Sequence, residues 1–70
     1  SNIMKVIINN EEESLTTGSS LHYLLKKKDI VEQKGIAIAI NGEVISKGEW
    51  KSTILLLNDK ITVIKATQGG

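Results

Sequence analysis

The chain has no cysteine and no arginine among its 70 residues, and only one histidine. Without cysteine there is no disulfide, no thiolate metal ligand and no thiol nucleophile. The same lack agrees with a cytosolic, cytoplasmic protein. Without arginine the planar, two-pronged recognition of phosphate is missing. Charge of one sign is missing too: nine lysines against eight acids leave a formal net charge of +1. Binding to a phosphate backbone calls for a basic excess on one face, so nucleic acid is not an expected partner. No apolar run approaches the ~20 residues of a membrane-spanning helix, and no secretory apolar region opens the chain. A membrane is not an expected partner either.

The few reactive side chains lack companions. His22 has no cysteine and no placed carboxylate beside it, and reads as a helix-surface residue rather than a ligand or base. Ser14, Ser19, Ser20, Ser46 and Ser52 have no neighbouring base, which speaks against a nucleophilic hydrolase. Glu11-Glu12-Glu13 resembles a cation site only superficially, since three consecutive carboxylates cannot converge on one ion; a solvated turn is expected there. Lys26-Lys27-Lys28 reads as an exposed helix face.

What is present is enough for one small domain near the lower limit of a self-sufficient core. With 40% apolar residues the chain is not expected to be disordered. Ser1-Asn2-Ile3 ahead of Met4 looks like the remnant of an expression tag, so residues 1–3 are set aside, 4–66 form the domain and 67–70 a tail. Met4 to Ile8 is rich in β-branched residues and reads as a strand. Residues 9–12 read as a turn, and Glu13 to Thr16 as a short returning strand. Ser19 or Ser20 is placed to cap a helix. Leu21, Leu24 and Leu25 share one face of that helix, which Ile30 or Val31 extends and Gly35 stops, giving residues 20–32. Ile36 to Ile40 alternates large and small, Asn41-Gly42 signals a tight turn, and Glu43 to Ser46 returns. Residues 47–58 are less regular: Trp50 reads as a core anchor, and it and Ile54-Leu55-Leu56-Leu57 are expected to tuck under the sheet edge. The last strand then covers Ile61 to Ala66.

One helix cannot cover both faces of a four- or five-stranded mixed sheet, so the fold is α+β with one face packed and one open. The element order suits a ubiquitin-like β-grasp, in which the first and last strands lie parallel in the sheet centre. Period two then places Met4, Val6, Ile8, Ile61 and Val63 inward. Ile7, Ile64 and Ala66, with Ala37 or Ala39, are left as a modest apolar patch outward. That patch leads to Thr67-Gln68-Gly69-Gly70. At a glycine usage of about 7%, two successive glycines at a chain end arise by chance roughly once in two hundred cases, so the pair is worth weighing. Glycines would let a terminal carboxylate thread a narrow channel, because no Cβ blocks close backbone approach.

At this point the chain resembles a known family, the sulfur carrier proteins of thiamine biosynthesis (ThiS type), over Met4 to Gly70. The resemblance rests on Gly18-Ser19-Ser20-Leu21-His22-Tyr23-Leu24-Leu25, on the alternating strand Ile36 to Ile40 ending in Asn41-Gly42, and on Trp50 with Thr53 and Leu55. It rests further on the turn Asn58-Asp59-Lys60-Ile61 and on Gly69-Gly70. The chain departs from the family's pattern at Ser46, where a proline is usual, and at Asn58, where a turn glycine is usual.

The resemblance implies a carrier and co-substrate, with no bound cofactor and no metal of its own. A ThiF-type adenylating enzyme would use Mg-ATP to attach AMP to the Gly70 carboxylate. Sulfur from a persulfide donor would displace AMP to leave a covalent thiocarboxylate, and thiazole synthase would take that sulfur. Gly69, Gln68 and Thr67 would thread the tail; Ile7, Ile64 and Ala66 would dock. Three alternatives remain at this point: the small subunit of molybdopterin synthase, a ubiquitin-like protein modifier, and a β-grasp interaction domain with an idle tail.

Overall fold

The computed structural model of the chain describes residues 2–65. Strands β1 (Ile3–Ile8) and β2 (Glu11–Thr16) are followed by helix α1 (Leu21–Lys27), then by β3 (Ile36–Ile40) and β4 (Glu43–Ile45). A 3-10 turn at Lys47–Glu49 leads into the last strand, β5 (Lys60–Lys65). The five strands form one sheet in the order β2-β1-β5-β3-β4. β1 and β5 are parallel at its centre, and the other neighbours are antiparallel. α1 covers one face, as the α+β expectation required.

Both hairpins turn on two residues with left-handed backbone. Asn9 and Asn10 have φ of 49° and 68°, and Asn41 and Gly42 have 52° and 87°. Positive φ at both central residues matches the twist of the flanking strands, and asparagine and glycine tolerate it best. The first turn is therefore shorter than residues 9–12. Glu11 and Glu12 belong to β2, where Glu12 faces Ile7 across the ladder. β1 likewise starts ahead of Met4: Ile3 pairs with Thr16, and the Asn2 carbonyl accepts from the Thr17 amide at 2.7 Å.

Helix α1 is stopped well short of residue 32. Lys28 is its C-cap, and Asp29 has φ of 62°. The Ile30 amide reaches the Leu25 carbonyl at 2.8 Å and the Asp29 amide the Lys26 carbonyl at 3.1 Å, the paired bonds of a Schellman ending. Asp29 is thus the stop, and Gly35 lies just ahead of β3. Ile30 and Val31 pack against the core from outside the helix. At the other end Ser20 is the N-cap, and its hydroxyl accepts from the Tyr23 amide at 3.1 Å. The remaining first-turn donors find the irregular loop: the Leu21 amide bonds Thr53 and the His22 amide bonds Trp50. A helix start leaves such groups unpaired, so the loop completes the cap.

The core joins Leu21, Leu24 and Leu25 of α1 to Met4, Val6, Ile8, Leu15, Ile38 and Ile61 of the sheet, and to Trp50 and Leu55 of the loop. Trp50 is the expected anchor, with its indole N–H donating to the Ile45 carbonyl at 3.2 Å. Of the run 54–57 only Leu55 is inside; Ile54, Leu56 and Leu57 are exposed. The segment is nearly extended there, with Ile54 bridged to Ser20 and the Leu55 amide on the Ser19 carbonyl. Ile54 and Leu56, on either side of Leu55, then point away from the core, and Leu57 lies in the turn where the Asp59 amide donates to the Leu56 carbonyl at 3.1 Å.

Glu13, on the core side of β2, receives Lys27 of α1 and its C-cap Lys28, each at 3.2 Å. Two of the three consecutive lysines are thus committed within the domain. The hydrogen bond from Lys28, then that from Lys27, holds the Glu13 carboxyl below a glutamate's ordinary 4.5. A depressed folded-state value adds stability that is present above the unfolded value and is lost as pH falls through the folded one. We expect Glu13→Gln to flatten the acid limb of the melting temperature below about pH 4.5, while costing under ~1 kcal/mol near neutrality. Thermal melts across that range check it.

Candidate functional site

β5 is the element that carries the chain toward its last residues, and its two flanks differ. On one side β3 accompanies it along its length, from Ile40 opposite Ile61 to Ile36 opposite Lys65. On the other side β1 pairs with it only at Ile7 with Lys60 and Ile8 with Ile61, then turns away at Asn9. Two asparagine side chains add bonds. Asn41 Oδ1 accepts from the Lys60 amide at 3.1 Å, and Asn9 Oδ1 accepts from the Val63 amide at 2.9 Å.

The sheet register decides which side chains share the open face. Ile64 stands opposite Ala37, Thr62 opposite Ala39, and Ala39 opposite Val44. Ile64 is 47% exposed and Val44 is 65% exposed, with the small Ala37 and the nearly covered Ala39 between their strands. Ile7 also faces outward, but it lies level with Lys60, four residues before Ile64. That is roughly 13 Å along the strand. The structure therefore joins Ile64 to Ala37 and Val44, with Ile7 as a flank.

Val44 was missed at the sequence level, although a signal existed. A two-residue turn at Asn41-Gly42 forces Ile40 opposite Glu43 and so Val44 opposite Ala39. The expected site residues Ala66, Thr67, Gln68, Gly69 and Gly70 lie outside the described residues.

Other clusters lie elsewhere. His22 lines a shallow cleft with Glu32, Lys47 and Lys51. Among the described residues no three of His, Cys, Asp and Glu are grouped to hold a metal ion, and no helix is long and apolar enough to cross a membrane. A second apolar surface gathers Ile3, Ile54, Leu56 and Leu57 beside Gly18. β1 and β5 run parallel, so that surface sits at the opposite end of the sheet from Lys65.

A five-stranded mixed sheet with a central parallel pair and one helix across one face defines a ubiquitin-like β-grasp domain. The crystal structure of the thiamine biosynthesis protein ThiS from Geobacter metallireducens has the same fold. It matches with a TM-score of 0.81 at 17% identity, over 96% of this chain and 100% of that one. An NMR solution structure of a thiamine biosynthesis protein from the same organism matches with 0.73 at 17% identity, over 96% and 88%. The ThiS family model spans residues 4–70, and the chain belongs to that family. A curated relative, the sulfur carrier protein ThiS of Escherichia coli (strain K12), is 28% identical over 67 residues, which is 96% of this chain and 100% of that protein. The resemblance read from the motifs is thereby established.

Proposed function

We propose that this chain is a sulfur carrier of thiamine biosynthesis, not itself a catalyst, and that it carries the sulfur as a thiocarboxylate on Gly70. The observation that supports this best is the family match, which covers residues 4–70, from the first strand through Gly69-Gly70. A C-terminal carboxylate with a pKa of about 3.3–3.7 is an anion at neutral pH and a poor electrophile. Activation therefore comes first. The Gly70 carboxylate oxygen attacks the α-phosphorus of Mg-ATP on a ThiF-type adenylating enzyme, and pyrophosphate leaves. A persulfide sulfur then attacks the acyl carbon and AMP leaves. A thiol that attacks the donor's sulfur in this acyl disulfide frees the thiocarboxylate and leaves the donor as a disulfide. Thiazole synthase is the acceptor.

Apart from Gly70 itself, the residues of this chain position that carbon rather than react. Four extended residues, Thr67 to Gly70, have a reach of about 13–14 Å. The open-face patch of Ile64, Ala37 and Val44 lies on the sheet that leads to them, with Ile7 as its flank, and supplies the docking surface. The test is the intact mass of the chain after incubation with an adenylating enzyme of this type, Mg-ATP and a persulfide donor. Replacement of one oxygen by one sulfur is the expected result; an unchanged mass with an enzyme proven active on its own carrier sinks the reading. Transfer of the sulfur to thiazole synthase rather than to a molybdopterin precursor settles the pathway. Ile64→Lys places a charge in the patch, and we expect it to raise KM for the adenylating enzyme by about tenfold with kcat near wild type.

A further inference from the structure

We propose that Asn9 is a positioning residue for the C-terminal tail, holding β5 in line beyond the point where β1 leaves it. The inference rests on the carrier reading. The backbone ladder between β1 and β5 ends where the Asn9 amide donates to the Ile61 carbonyl at 3.0 Å. β5 continues to Lys65, and from Thr62 onward its paired neighbour is β3 alone. The next inward donor on the vacated side is the Val63 amide, and Asn9 Oδ1 takes it at 2.9 Å. One side chain thus supplies a rung that the departing backbone cannot.

The left-handed backbone of Asn9, at φ of 49°, belongs to the hairpin turn that carries β1 away from β5. Asparagine suits both tasks, since it tolerates that conformation and offers a carbonyl oxygen. Asn41 is its counterpart, with φ of 52° and its own Oδ1 on the Lys60 amide. The two differ in where they act. Lys60 is already held, lying beside Ile7 with its carbonyl taken by the Asn41 amide at 2.8 Å. Val63 is two residues short of Lys65, and its bond to Asn9 is the outermost one described on that flank. Loss of the Asn9 acceptor leaves the end of β5 held from one edge, where it can swing about the β3 ladder. The residues after Lys65 then set out from a spread of directions, and the Gly70 carboxylate spends less time in line for attack.

Glycine at position 9 keeps the turn conformation and removes the acceptor, whereas aspartate keeps both. In Asn9→Gly we expect Val63 amide exchange to quicken about fivefold, the loss of one ordinary hydrogen bond. We expect kcat for thiocarboxylate formation to fall by a similar factor, with KM within about twofold because the docking patch is untouched. Asn9→Asp should restore both, and Asn41→Gly should lower the melting temperature without lowering kcat. Faster Val63 exchange with unchanged kcat would reduce Asn9 to a turn stabiliser and overturn the proposal. So would unchanged exchange. Failure of the wild-type chain to be converted at all would instead overturn the carrier reading beneath it, a result the exchange data alone would not produce.

Discussion

Removal of Gly69 and Gly70 is expected to abolish thiocarboxylate formation while leaving the melting curve of the domain where it was. The two halves of this result come from different parts of the chain. Every buried apolar residue among those described lies between Met4 and Ile61, and the two glycines have no side chain to bury. Catalysis on a partner does draw on them. Truncation moves the carboxylate back by about 7 Å and places it on Gln68, a residue with a Cβ and a long side chain. A displacement of about 1 Å can cost a hundredfold in rate, so a shift several times larger should take conversion below detection. Intact mass spectrometry of the full and truncated chains, side by side with one enzyme preparation, reads it directly. Conversion of the truncated chain would mean that the sulfur goes elsewhere, and the carrier mechanism assigned to Gly70 would fall.

Much of this arrangement was legible in the residues because local chemistry and tertiary packing agreed. Asn41-Gly42 set both a turn and a register, and Ser20 followed by Leu21, Leu24 and Leu25 set both a cap and a face. Alternation in β1 placed Met4, Val6 and Ile8 inside and Ile7 outward. The failures came where one pattern served two structures. Ile30 and Val31 continue the apolar spacing of α1, yet they reach the core from a turn that Asp29 starts in left-handed backbone. Asn9-Asn10 is a weaker turn signal than Asn-Gly, so the acidic residues after it read as loop when they are strand. The run 54–57 is uniformly apolar, and composition cannot say which of its four side chains the backbone will point inward. The second use of Asn9, as an acceptor for an amide 54 residues away, has no local signature at all.

The largest stability effect should follow Leu24→Ala. α1 spans seven residues, about two turns, and a helix so short does not persist in water without tertiary packing. Leu24 is at its centre and has no exposed surface. Truncating a fully buried leucine removes its transfer free energy and leaves a cavity, together costing about 2–5 kcal/mol. Alanine's better helix propensity returns only a few tenths. A domain of this size has a total stability of roughly 3.5–10 kcal/mol, so the substitution consumes a large part of it. At ~4–8 °C per kcal/mol the melting temperature should fall by about 15 °C. Leu57→Ala is the control, because that leucine is 63% exposed and should cost under ~0.5 kcal/mol. The same chemical change at two leucines then separates packing from composition. Below its lowered melting temperature, Leu24→Ala should still be converted at a near wild-type maximal rate, since α1 lies across the sheet from Ile64 and Val44. A loss of rate in the folded variant would show that the helix face, too, takes part in docking.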